Sequence, residues 1–212
     1  MRSRFDEQLT QLNREMIEMG AQCEEVIALA SKALTEADMK LAAKVSPLSA
    51  DIDRKEREIE ALCLRLLLQQ QPVARDLRQI SAALKMITDL ERIGDQAEEI
   101  ADIIGFIDGH NPEDYVTLTE MAKAAIHMVT ESIDAYVKHD TILAEKVVDE
   151  DDIVDEYFLQ VKSKLIAKIA ENPDDGEYAL DLLMIAKYFE RIGDHAVNIA
   201  EWVIFSVTGV HR

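Results

Sequence analysis

Hydrophobic residues recur along the first segment at Phe5, Leu9, Leu12, Met16, Met19, Cys23, Val26 and Ala30, in steps of four and three. That seam lasts for nearly four heptads and predicts one long helix packed at a shallow angle against others. The rhythm returns at Leu41, Val45, Leu48, Ile52, Ile59, Leu62 and Leu66, broken once by Lys55. Asp38 suits the cap in front of this second helix. Pro47 lies inside it, where its ring must kink the helix or restart it. QQQP at 69–72 marks a turn, and Pro72 fits the first turn of a third helix running to about Ile104.

GFIDGHNPED, 105–114, carries two glycines and a proline and reads as a linker. Beyond it the plan repeats: a helix from about Asp114 to Lys138, another from Asp140 to about Ala170, a turn at ENPDDG, 171–176, and a last helix from about Glu177 to Val207. The two parts also align by sequence. DMKLAAKV at 38–45 matches DTILAEKV at 140–147, and LERIGDQAEEIA at 90–101 matches FERIGDHAVNIA at 189–200. A repeat of this length points to duplication of one unit. Short turns make successive helices antiparallel. The expected fold is all-α, with six long helices forming two tandem, duplicated three-helix bundles, residues 1–107 and 111–212.

Composition agrees. Few glycines and prolines, sparse aromatics and abundant Leu, Ala, Ile, Glu and Lys favour long helices. Charge narrows the partners. Asp and Glu number 42 against 23 Lys and Arg, a net −19. Such a field repels nucleic acid and favours cations and basic protein surfaces; it also keeps the protein dissolved. Cys23 and Cys63 form no CxxC and sit in apolar phases, so they read as reduced core residues. No apolar run approaches the ~18 residues of a membrane span, and the N-terminus lacks a signal-peptide core. A cytoplasmic protein with no direct membrane insertion is expected.

The repeated ERIGD, at 91–95 and 190–194, holds the candidate chemistry. Glu91 and Asp95 are one turn apart and share a helix face, which Glu98 and Asp102 continue. Ile93, Ala97, Ile100 and Ile104 take the opposite side, so the acidic stripe is expected on the outer surface. Folding the second and third helices about their turn brings Asp53 level with Glu91. The second half brings Asp151 and Asp155 level with Glu190 and Asp194. Carboxylates this close repel one another, and raised pKa values, the neighbours Arg92 and Arg191, or bound cations would relieve them. All-oxygen donors suit hard cations such as Mg²⁺, Mn²⁺, Ca²⁺ or ferric iron. The same pattern also fits a plain solvated acidic face. Gly94 and Gly193 beside the stripe fit either close helix packing or room for ions. His195 follows Asp194 and is a minor candidate ligand; His110, His127, His139 and His211 show no ligand spacing. Trp202 and Phe205 are expected to pack between helices or bundles.

ERIGD in two copies, with QPVARDLR at 71–78 between them and RIGDHAVNIAEW at 191–202, resembles the PhoU family of phosphate-signalling regulators. The resemblance covers nearly the whole chain. It implies a cytoplasmic accessory protein of high-affinity phosphate uptake that represses the phosphate-starvation response. Such a protein would link the phosphate ABC transporter, through its ATPase subunit, to a sensor histidine kinase. Some members hold multinuclear iron or zinc clusters through E(D)xxxD pairs. Carried across, a cluster of iron, zinc, manganese or magnesium would sit on Asp151, Asp155, Glu190 and Asp194, and on Asp53, Glu91 and Asp95. Ser49 stands where Asp151 stands in the repeat, and Pro47 precedes it, so weaker binding is expected in the first half. A homodimer is an open expectation, and the partner-binding surface is unknown.

The rival readings are an accessory protein of a low-affinity phosphate transporter and a carboxylate-bridged di-iron oxidase or iron store. The oxidase would need Glu-x-x-His on inward-facing helices. No such tetrad occurs in the chain. Nor does a nucleophile motif or phosphate-binding glycine loop, so a non-enzymatic role is expected.

Overall fold

In the computed structural model, residues 2–70, 72–107 and 112–210 are described. Their helices are α1 (Arg2–Glu36), the one-turn α2 (Met39–Ala42), α3 (Val45–Gln70), α4 (Ala74–Ile104), α5 (Pro112–Lys138), α6 (Thr141–Glu171) and α7 (Gly176–Thr208). A single 3₁₀ turn, Pro173–Asp175, separates α6 from α7. The six long helices are the expected ones, arranged as two three-helix units, α1–α3–α4 and α5–α6–α7.

The duplication is visible in backbone detail. α1 and α5 each end on a residue in the left-handed region, Ala37 at φ 50° and His139 at φ 54°. An aspartate follows each and caps the next helix: Asp38 accepts from the amides of Lys40 and Leu41, and Asp140 from those of Ile142 and Leu143. The halves diverge one turn later. α6 runs on without a break, whereas α2 stops at Ala42 and α3 restarts at Val45. Pro47 is the reason. It lies in the first turn of α3, where a missing N–H loses no intrahelical bond.

Heptad positions on α1 are covered as the seam predicts, with Leu12, Met16, Met19, Cys23, Val26 and Ala30 fully buried. Lys55, the seam's interruption, turns sideways. Its Nζ lies 2.9 Å from both Glu15 Oε2 and Glu18 Oε2 on α1. α3 lies against α1 and α4, and α6 against α5 and α7. The halves join through like helices, α4 on α7 and α1 on α5, so one apolar core extends through both. Trp202 and Phe205 stack edge to face at 5.6 Å, and Lys85 of α4 covers the Trp202 ring across the junction. Cys23 and Cys63 are buried free thiols. No described helix is long and apolar enough to cross a membrane.

Candidate metal centre

Each unit carries acids in the groove where its middle helix meets its last. In the first unit Asp53 projects from α3, and Glu91 and Asp95 project from α4. One oxygen of each lies within 4.8 Å of the others. That spread suits a single hard cation, because ligands on opposite sides of such an ion are separated by ~4–5 Å. The acids are less exposed than the sequence suggests: the Glu91 side chain keeps 23% of its accessible surface and that of Glu190 keeps 15%. The expected outer-surface stripe is therefore a half-covered groove. α3 and α6 pack against the flanks of α4 and α7 and cover positions that a helix viewed alone leaves open.

The electrostatics match a site short of positive charge. Burial, then Asp95, Glu56 and Asp53, pushes the Glu91 carboxyl above its ordinary range, against the opposing pull of Arg92. Burial raises Asp95 as well, with Asp53 adding to it and Arg92 again opposing. Arg92 reaches Asp95 at 3.4 Å and Glu91 at 3.6 Å, from a largely exposed position. Glu56 also belongs to this group, its carboxyl raised by burial, Glu60 and Asp53. Its sequence signal was the three-residue step from Asp53, on the same face of α3. One oxygen of Asp53 is buried with no hydrogen-bond partner.

The second unit has the fuller acid set in a looser arrangement. Burial and the charges of Asp155, Asp194, Asp152 and Glu190 push Asp151 up to about 6. Burial and Glu190 raise Asp155, and Lys187 opposes the rise. The four predicted ligands thus act on one another, yet no three of them meet within 4.8 Å among the described residues. Lys187 is one cause: it ion-pairs with Glu190 on the same helix. Arg191, expected to be a counter-charge, lies instead over the Tyr188 ring at 5.6 Å.

Gly193 leaves space for Asp151. A Cβ there would stand 3.2 Å from Asp151 Oδ1, an atom that is buried without a hydrogen-bond partner. Gly94 does the same for Ser49, whose Oγ would lie 3.3 Å from a Cβ, and for Ile52. The glycines therefore serve packing in the first unit and admit a carboxylate in the second. All-oxygen donors and an unpaired buried carboxylate oxygen on Asp53 fit a hard metal ion in the first groove; the second holds the same donor type, including the unpaired Asp151 Oδ1, without the same convergence.

His195 is not at this site. Its Nδ1 is 2.9 Å from Asp89 Oδ1, which also accepts from Asn198 Nδ2 at 3.0 Å, so it ties α7 to α4. His127 corrects the sequence reading in the other direction. It lies one turn from Glu131 on α5, with Nε2 at 3.4 Å from Glu131 and 3.7 Å from Glu150 of α6. The four-residue step to Glu131 was the missed signal. Lys146 already fills that cluster, 2.8 Å from Glu131 and 3.1 Å from Glu150. His110 and His211 lie outside the described residues.

The PhoU domain family model matches residues 16–104 and again 118–203. A Pseudomonas aeruginosa protein named phosphate-specific transport system accessory protein PhoU homolog is 35% identical over 97% of this chain and 86% of its own. A Clostridium acetobutylicum protein of the same name is 34% identical over 97% of this chain and 94% of its own. The crystal structure of PhoU from P. aeruginosa superposes with a TM-score of 0.91 at 35% identity, covering 97% of this chain and 100% of that one. That of the Streptococcus pneumoniae phosphate transport system regulatory protein PhoU superposes at 0.89 with 25% identity, covering 98% and 99%. Two matched copies of one domain, in the places where the duplicated helices and their acidic grooves lie, make this chain a member of the PhoU family.

Proposed function

We propose that this chain is a cytoplasmic, non-catalytic adaptor of phosphate homeostasis. It couples the high-affinity phosphate ABC transporter, through its ATPase subunit, to a sensor histidine kinase, and it holds the starvation response off when phosphate is plentiful. The observation that carries this reading is near-full-length similarity to proteins named as accessory to the phosphate-specific transport system. The architecture supports it. Its two helical units share one apolar core, and their acidic faces suit basic partner surfaces. Metal ions on Asp53, Glu91 and Asp95, and on Asp151, Asp155, Glu190 and Asp194, would relieve the repulsion in each groove and stiffen it.

Affinity capture from native membranes, grown in high and in low phosphate, tests the reading. Recovery of a transporter ATPase or a histidine kinase supports it. Recovery of a single-component phosphate transporter instead would move the protein to the low-affinity system. Elemental analysis and size-exclusion chromatography of the same sample report bound metal and self-association.

A further inference from the structure

The proposed adaptor role leaves QPVARDLR unused, and that motif supplies Arg75 to a hollow that none of the groove acids lines. A hollow of about 360 Å³ is lined by Arg75 and Gln79 of α4, His139 at the end of α5, and Ser206 and Val207 of α7. Among the described residues no carboxylate lines it, in a chain of net charge −19. Arg75 is an exposed side chain that makes no ion pair among the described residues, unlike Lys55, Arg92, Lys146 and Lys187. Its charge is felt by His139, whose ring is held below its ordinary pKa by burial and by Arg75. The cationic field of this hollow is thus unspent.

One further detail keeps it so. Arg78, one turn along α4, directs its Nε to the carbonyl oxygen of Ser206 at 3.5 Å. Its side chain also lies along the capping Gly209. It therefore covers a carbonyl at the C-terminal end of α7, where the helix dipole would repel an anion. Gln79 donates an amide hydrogen to Asn13 Oδ1 at 3.1 Å and also faces the buried Tyr136 hydroxyl, which fixes its amide in the wall of the hollow.

Duplication supplies an internal control. Ala37 occupies the corner equivalent to His139, with the same left-handed backbone and the same capping aspartate after it. The hollow there is about 180 Å³ and is lined by Leu34, Ala37, Ile104 and Tyr115 among others, with no cationic side chain among the described residues. One backbone corner, built twice, is apolar in one copy and cationic in the other. The backbone does not require the charge.

We infer that the hollow between Arg75, Gln79 and His139 binds a phosphate-class oxyanion, either free or carried on a small organic group. Arg75 supplies a planar fork of donors that matches phosphate oxygens, His139 supplies a single N–H donor, and Gln79 shapes the wall between them. The inference goes beyond the adaptor role and does not depend on the metal sites.

The test is titration calorimetry on metal-free, chelator-treated full-length protein, so that no groove-bound metal can hold the anion. Inorganic phosphate and glycerol phosphate are titrated separately to identify the source. Saturable binding of either is expected, weakened ten-fold or more in Arg75→Gln and several-fold in His139→Asn, which keeps a residue that tolerates the left-handed corner. Arg57→Gln, which removes a charge on α3, should leave binding unchanged. Absence of saturable binding by both ligands, or equal weakening by Arg75→Gln and Arg57→Gln, overturns the site. That failure leaves partner capture, and so the adaptor reading, untouched.

Discussion

Lys187 is ion-paired with Glu190 one turn further along α7, and the equivalent position in the first unit is Thr88. The two grooves are thus neutralised from different places: by Lys187 in one and by the more exposed Arg92 in the other. The missing acid at Ser49 argues for a weaker first site, whereas Lys187 handicaps the second by competing for Glu190. Lys187→Gln should therefore raise metal affinity. With the first site removed by Glu91→Ala and Asp95→Ala, Mn²⁺ binding to the second should tighten several-fold, about 1 kcal/mol for one released charge-assisted contact. Calorimetric affinity that is unchanged or weaker would remove Lys187 from the account.

Ser49→Asp tests the complementary point. Ser49 is almost fully buried, beside Gly94, where Asp151 lies beside Gly193 in the other unit. A carboxylate there without metal has no partner to offset its desolvation, so the chelated variant should be less stable by about 1–3 kcal/mol. Mn²⁺ should restore much of that loss and raise the melting temperature more than it does for the natural sequence. Equal stabilisation of both proteins by the metal would show that position 49 cannot reach an ion.

How much of this was readable beforehand depends on the range of the interaction. The seam from Leu12 to Ala30, the caps at Asp38 and Asp140 and the restart at Pro47 are local, and local periodicity and turn chemistry predict them. Helical register likewise brings Asp53 level with Glu91. The pairing of α4 with α7 and α1 with α5 was not readable, because an apolar stripe does not name the stripe it meets. Hence His195 was a candidate ligand on the strength of its neighbour Asp194, when its partner, Asp89, comes from the other unit. Coverage of Glu91 and Glu190 by flanking helices was hidden for the same reason. The hollow at Arg75 combines residues from three helices, and no spacing rule links position 75 to 139 or 206.

The junction between units makes a sharp steric prediction at Gly20. A Cβ there would stand 2.9 Å from Ile133 Cγ1, closer than side chains tolerate, so α1 and α5 touch where residue 20 has no side chain. Alanine adds about 1 kcal/mol of helix propensity but forces the helices apart, an overpacking cost of about 1–3 kcal/mol. Gly20→Ala should be destabilised on balance. In an Ile133→Ala background, which removes the clashing carbon at its own cavity cost, Gly20→Ala should no longer destabilise, giving a favourable coupling in a double-mutant cycle of denaturant unfolding. Strict additivity would mean that the two helices adjust without strain.

Lys55 gives the pH test. On the seam alone, Lys55→Leu completes an apolar stripe and should stabilise. The contacts argue the reverse, since Lys55 Nζ sits 2.9 Å from both Glu15 and Glu18 with only 15% of its side chain exposed. Its hydrogen bond holds the Glu15 carboxyl below the ordinary 4.5, and Glu15 in turn holds Lys55 above 10.5. For Glu15, the folded state binds its proton less readily than the unfolded chain, so this stabilisation is complete above about pH 4.5 and disappears as pH falls through the lowered value. For Lys55 the folded state binds its proton more readily, so the contribution is complete below 10.5 and is lost only as pH rises through the raised value. Lys55→Leu should therefore cost about 1 kcal/mol at pH 7, discounted for the partly exposed Glu18. The deficit should be smaller at pH 3, because stability from this pair is lost as pH falls from 4.5 through the lowered Glu15 value. Urea unfolding at the two pH values reads the difference. An equal deficit at both would place the effect in packing rather than in the ion pair.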